Sequence, residues 1–182
     1  MALHPEEAIA NHRVLDMQHG IAYRDTVYVL GETRLTVHTE RFVSMTQSHG
    51  AVIRMVLTAN APCRVQLIGL MDGDVTNLVC TDDPRVGSGL KGRALSSPVI
   101  SRGENACAMV QVTGHTRLAE ACGMKLLVEP GMPAEENVTA LRAELAYTFK
   151  LQPGQSVCMN KFVSYFDGGE VDAEELLRRA ME

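Results

Sequence analysis

The feature that most constrains this chain is a hydrophobic period of two. From Thr33 to Glu40, Leu35 and Val37 fall on one side with Thr33 and Thr39, while Arg34, Thr36, His38 and Glu40 fall on the other. Successive side chains of a strand point to opposite faces of a sheet, so this alternation reads as a strand with one face on a core. Similar runs span Ala51 to Thr58, Cys63 to Leu70, Ala106 to Thr113, Arg117 to Glu129 and Gln155 to Phe166. Turn signals separate them: Gly31-Glu32, Asn60-Ala61-Pro62, Asp72-Gly73, Glu129-Pro130-Gly131 and Pro153-Gly154. Closely spaced strands joined by tight turns, with no helical period between them, specify an all-β antiparallel sandwich.

Two segments need separate treatment. Pro133 followed by Glu135 and Glu136 has the look of a helix start, and Leu141 and Leu145 would share a helical face. Against this, Leu141, Ala143, Leu145, Tyr147, Phe149 and Leu151 alternate with Arg142, Glu144, Ala146, Thr148 and Lys150, which favours one long strand. Near the end, Asp172 stands where an N-cap would, Glu175 three residues on would complete a capping box, and Leu176, Leu177 and Ala180 form an apolar stripe. A short helix is expected there. The stretch Thr81 to Ser97, with Asp82, Asp83, Pro84, Gly87, Gly89 and Gly92, reads as a long loop of the kind that often carries function.

Composition removes several function classes. At 182 residues the chain is long enough for one domain with a real core, yet only 4% of its residues are aromatic and Trp is absent. The core must therefore be aliphatic, and a broad aromatic platform for stacking sugars is not expected. A net charge of -5 with both signs interspersed offers no basic stripe to a nucleic acid. The five cysteines are odd in number and widely spaced, so they read as reduced core thiols; no C-x2-C pair points to a metal, and none is expected. No apolar run reaches a membrane-spanning length and Met1 to Ala10 lacks the marks of a secretory signal, so a cytoplasmic location without membrane contact is expected.

No complete reaction centre emerges. Asp72, Asp74, Asp82 and Asp83 could be imagined as an acid and base pair, but aspartate beside glycine more often holds a turn. His38 and Glu40 share a strand face without a third member, no H-E-x-x-H or Gly-x-Ser-x-Gly occurs, and Gly87, Gly89 and Gly92 lack the following helix that a phosphate loop needs. No cofactor is expected. Arg24, Glu40, Arg41, Asp72 and Asn77 are the polar residues that interrupt otherwise apolar strands. Each must be bonded within the domain or across an interface, which makes them interface or pocket-rim candidates.

These residues also carry a resemblance. The stretches Arg13 to Gly20, Tyr23-Arg24, Glu40 to Met45 with His49, and Asp72 to Asn77, together with Lys161, resemble the N-terminal domain of glycoside hydrolase family 65. That family contains maltose, trehalose and kojibiose phosphorylases and related trehalose hydrolases. The resemblance implies a galactose-mutarotase-like β-sandwich over residues 1–170, with 171–182 starting a helical linker. It also implies that the catalytic groups belong to a separate (α/α)6 barrel, so none is assigned here. The strands that open the family domain are expected ahead of Met1; a sandwich without them would present unpaired edges, from which a homo-oligomer is expected. The alternative is a self-standing carbohydrate-binding or mutarotase-like module.

Overall fold

The computed structural model describes residues 3–77, 92–168 and 172–182. Within them the chain forms strands β1 (Ala10–Asp16), β2 (Ile21–Leu30), β3 (Thr33–Val43), β4 (Gly50–Ala59), β5 (Cys63–Asp72) and β6 (Val99–Gly103). It continues with β7 (Ala106–Val112), β8 (Ala119–Glu129), β9 (Glu135–Val138), β10 (Arg142–Leu151) and β11 (Ser156–Gly168), and ends in helix α1 (Ala173–Met181). Of the expected loop, residues 81–91 lie outside the described residues, as do Asp82, Asp83, Gly87 and Gly89. No described helix is long and apolar enough to cross a membrane.

All pairings are antiparallel, in two sheets of unequal size. The large sheet has the order β1-β2-β3-β4-β11-β8-β7-β6, and the small one β5-β10-β9. The sandwich read from the period of two is therefore the architecture found. Leu35, Val37 and Leu57 from the large sheet meet Leu67, Leu145, Tyr147 and Phe149 from the small sheet in one apolar layer. The segment 142–151 is a strand, and its alternation is reproduced: Ala143, Leu145, Tyr147, Phe149 and Leu151 are buried while Arg142 and Lys150 are exposed. Gly69 is needed where β5 crosses β8, because a Cβ there would come 2.5 Å from Leu126 Cδ1. The Tyr147 hydroxyl donates to the Leu126 carbonyl at 3.3 Å, so the largest buried side chain leaves no polar atom unpaired.

On the opposite face of the large sheet, α1 covers β7, β8 and β11. Leu176 and Ala180 of α1 pack with Ala108, Val110, Ala119 and Ala121 into a second apolar cluster. Small residues on the strands let the helix approach: a Cβ on Gly123 would collide with the Ala180 carbonyl. The expected helix is present, but the capping box is not. Asp172 occupies the N-cap without a side-chain bond to the helix, and Glu175 is held instead by Arg178 and Arg179, at 2.8 Å and 2.9 Å. Guanidinium groups three and four residues along the same face reach that carboxylate and capture it.

Candidate functional site

Among the described residues, the mismatch between eight strands and three leaves part of the large sheet's inner face without cover. The register fixes which residues lie there. Tyr28, Leu35, Val37 and Leu57 sit under the small sheet, whereas farther along the same strands and the same face come Arg24, Ala22, Arg41, Val43 and Ile53. β1 adds Arg13 and Leu15 to this surface, paired with Arg24 and Ala22. Leu15 is 66% exposed and Val43 67%; at the tips of the two hairpins Met17 is 86% and Met45 95% exposed. Exposed apolar side chains occur on the reverse face too, at Val14 and Phe42, so it is the charges that set the inner face apart.

Three guanidinium groups stand among them. Arg13 and Arg24 are directly opposed across β1 and β2, and Arg41 is diagonal to Arg24 because it pairs with Ala22. Like charges in opposed positions destabilise a sheet unless something compensates. Arg24 Nε donates to Asn11 Oδ1 at 3.1 Å, but its Nη2 is buried without a hydrogen-bond partner. Among the described residues, none of these three arginines forms an ion pair. Farther along the inner face, the half-buried Lys161 extends its Nζ to the Leu70 carbonyl of β5 at 3.2 Å, and burial lowers its pKa.

The outer face behaves differently, because its charges are matched. His38 Nδ1 lies 2.6 Å from Asp25 Oδ1, and its Nε2 lies 3.4 Å from Glu40 Oε1. Asp25 and then Glu40 hold the His38 pKa above its ordinary value, against the opposing effect of burial. Arg54 engages the other oxygen of Glu40 at 3.3 Å. At the far end of β5, Asp72 accepts from Arg142 Nε at 2.9 Å and from the Asp74 backbone amide at 2.9 Å, while Asp74 pairs with Arg93 at 2.8 Å. The bond from Arg142 holds the Asp72 carboxyl below the usual carboxylate range. That is the opposite of what a general acid requires, and it is the turn-holding role expected for this aspartate.

The five candidate residues therefore separate. Arg24 and Arg41 come together on the uncovered inner face, Glu40 is on the reverse side of the same sheet, and Asp72 is the last residue of β5, at the end of the small sheet. The Asn77 backbone amide donates to the Gly92 carbonyl at 3.0 Å, closing the ends of the intervening segment. Arg13, which is not among the five, belongs to the inner group; its separation by two from Leu15 is the signal in the sequence. Cys63, Cys107, Cys122 and Cys158 are free thiols, and burial pushes Cys107 and Cys122 up to about 11, as inert core thiols require. Cys80 lies outside the described residues. Among the described residues, no cluster of His, Cys, Asp or Glu could hold a metal ion.

Known proteins place this arrangement. The family model described as glycosyl hydrolase family 65, N-terminal domain, matches residues 1–182. The chain is 27% identical over 174 residues to an alpha,alpha-trehalose phosphorylase of Thermoanaerobacter brockii; the match covers 93% of this chain and 22% of that protein. In three dimensions it superposes on a putative kojibiose phosphorylase from the human microbiome with a TM-score of 0.78 at 12% identity, over 93% of this chain and 21% of the other. The chain thus spans about a fifth of the length of these relatives. With the sandwich fold and a match along its whole length, this chain belongs to the N-terminal domain family of glycosyl hydrolase family 65.

Proposed function

We propose that residues 1–182 are a non-catalytic N-terminal β-sandwich of a disaccharide phosphorylase or hydrolase acting on α-glucosides such as maltose, trehalose or kojibiose. Its partner is an (α/α)6 barrel elsewhere in the enzyme, which carries the reaction. The observation that bears most weight is the pairing of a family match over residues 1–182 with coverage of only 22% of the trehalose phosphorylase. The electrostatics agree: Asp72 is tied to Arg142, and Glu40 to Arg54 and His38, so neither is poised to protonate a glycosidic oxygen. The 27% identical relative is a trehalose phosphorylase, which favours phosphate over water as the acceptor.

Incubating the purified 182-residue chain with trehalose, maltose or kojibiose and inorganic phosphate tests this reading. No sugar phosphate and no free glucose are expected above the buffer rate, and sustained release of either would overturn it. A self-standing carbohydrate-binding or mutarotase-like module is favoured by one observation, a cleft of about 790 Å³ beside β5, which is of ligand-binding size. Among the described residues, Tyr28 is its sole aromatic lining residue, a poor provision for sugar stacking. Calorimetric titration with the same disaccharides is expected to give no saturable heat.

A further inference from the structure

Strands β1 and β3 run out at the same end of the large sheet, and the hairpin tips that follow them carry the two most exposed methionines among the described residues, Met17 at 86% and Met45 at 95%. Elsewhere the chain uses methionine as core filler: Met71, Met109, Met124 and Met159 are buried. The last residues of both strands extend the apolar end onto either face of the sheet, Leu15 and Val43 on the inner one and Val14 and Phe42 on the outer, all exposed. Asp16 pairs with Ile21 and Ala22 with Arg41, so the ends of β1 and β3 stand two strand spacings, about 10 Å, apart. Both tips are tied down by bonds in which neither methionine side chain takes part. Asp16 Oδ1 accepts from the Gln18 and His19 amides, each at 3.0 Å, its Oδ2 lies 2.7 Å from His19 Nδ1, and Gly20 closes the turn with a φ of 69°. At the other tip the Gln47 amide donates to Ser44 Oγ at 2.9 Å and the Gly50 amide to the Gln47 carbonyl at 2.8 Å. His49 stacks on Phe166 with ring centroids 4.3 Å apart and donates from Nδ1 to the Tyr165 carbonyl at 2.9 Å.

We infer that this end of the sandwich, with Met17 and Met45 as its anchors, is where the domain seats on an apolar patch of the helices in the enzyme's remaining polypeptide. The inference rests on the reading of residues 1–182 as one domain of a longer enzyme. An apolar anchor on a turn that is already ordered loses little freedom on binding, and the unbranched thioether adapts to an uneven helical surface. Area selects the occupant. Burying one side chain of this size removes roughly 60–120 Å² from water, so six partly exposed ones offer on the order of 500 Å². A free partner, a second copy included, needs about 800 Å² per side for a stable complex. A tethered domain docks at high effective concentration and holds with less, since interfaces between domains of one chain span about 600–1,500 Å² in all. On that reading most of the enzyme is such a tethered partner, because the chain spans 22% of the trehalose phosphorylase. The seat is made by side chains at strand ends and uses no strand edge.

Oxidation by dilute hydrogen peroxide, read by peptide mass spectrometry on residues 1–182 and on the longer native polypeptide, tests this. Met17 and Met45 are expected to form sulfoxide readily in the 182-residue chain and at least ten-fold more slowly in the longer protein. Met132, 38% exposed between β8 and β9, is expected to react at the same rate in both. In the longer protein, Met17→Lys combined with Met45→Lys is expected to raise hydrogen exchange at the two tips to the rates of the isolated chain, and Met132→Lys is not. The same double variant of the 182-residue chain is expected to keep the parent's urea midpoint, which separates a lost seat from a lost fold. Equal oxidation of Met17 and Met45 in the two proteins overturns the proposal. So does protection that appears in the 182-residue chain as its concentration rises, with light scattering at the mass of a dimer, since a second copy is then the occupant. A native polypeptide whose intact mass matches 182 residues would remove the reading of one domain in a longer enzyme, whereas equal oxidation in a longer protein removes the seat alone, so the two failures are distinguishable.

Discussion

Strands β8 and β3 belong to the same sheet and share the same alternation, but one is finished on both sides and the other is not. β8 sends Met124, Leu126 and Val128 into the layer beneath the small sheet, while Ala119 and Ala121 on its reverse lie under α1. β3 buries Leu35 and Val37, then carries its alternation out to Arg41 and Val43, where nothing described covers it. A period of two thus defines which side chains share a face, while burial depends on how far the opposing layer reaches. What stabilises the domain is concentrated at β8, β10 and β11. Among the described residues, exposed apolar side chains and arginines without ion pairs are concentrated at β1 to β3.

The sharpest way to break this contrast is a matched pair of truncations. Leu126→Ala empties a fully enclosed site and is expected to cost about 2–5 kcal/mol. Val43→Ala on the uncovered end is expected to stay within about 0.5 kcal/mol. Urea unfolding of both variants measures the difference, and equal costs would erase the distinction between the two halves. A smaller effect is expected from Gly123→Ala, which forces the Ala180 carbonyl away and loosens α1 from its cluster at about 1–3 kcal/mol. Limited proteolysis should then cut at α1 sooner than in the parent chain, without a change at β1 or β2.

The smallest expected effect concerns the matched charges of the outer face. His38 titrates above its ordinary value of 6.5 in the folded chain because Asp25 and Glu40 favour its charged form. A raised folded pKa gives stability that is complete below pH 6.5 and lost as pH rises through the raised value. His38 is 36% exposed at its side chain, so solvent screening limits the gain to a few tenths of a kcal/mol, about what exposed pairs contribute. Relative to His38→Gln, the parent chain should lose that advantage on moving from pH 6 to above the raised pKa. Denaturant midpoints that track each other across this range would count against the pairing.

The sequence shows the fold wherever one face of a strand is buried. β10 is legible because Ala143 to Leu151 enter the core at every second residue. β1 is not legible as a strand, because six of its seven residues are exposed and neither face supplies a contrast between buried and exposed positions. β9, with the sequence Glu-Glu-Asn-Val, brings Val138 alone to the core and takes its conformation from pairing with β10. The capping box failed for a related reason: a local spacing was satisfied, but Arg178 and Arg179 competed for Glu175. Arg24 and Arg41 were found as interruptions of apolar strands and do share a surface. Glu40 was grouped with them although it is adjacent to Arg41 in the chain and therefore on the reverse face, and Asp72 was grouped with them from a different sheet. Which layer ends where is a long-range property, and no spacing within β2 or β3 encodes the reach of β5.

If residues 1–182 are one domain of a longer enzyme, as proposed, the open side of the sandwich at β1 to β3 is where its remainder rests. Hydrogen exchange on residues 1–182 alone and within the full-length polypeptide tests it most directly. Slower exchange is expected in β1 to β3 of the longer protein, with β8 and β10 unchanged. Unchanged exchange across β1 to β3, or new protection confined to the outer face around His38 and Arg54, would contradict it.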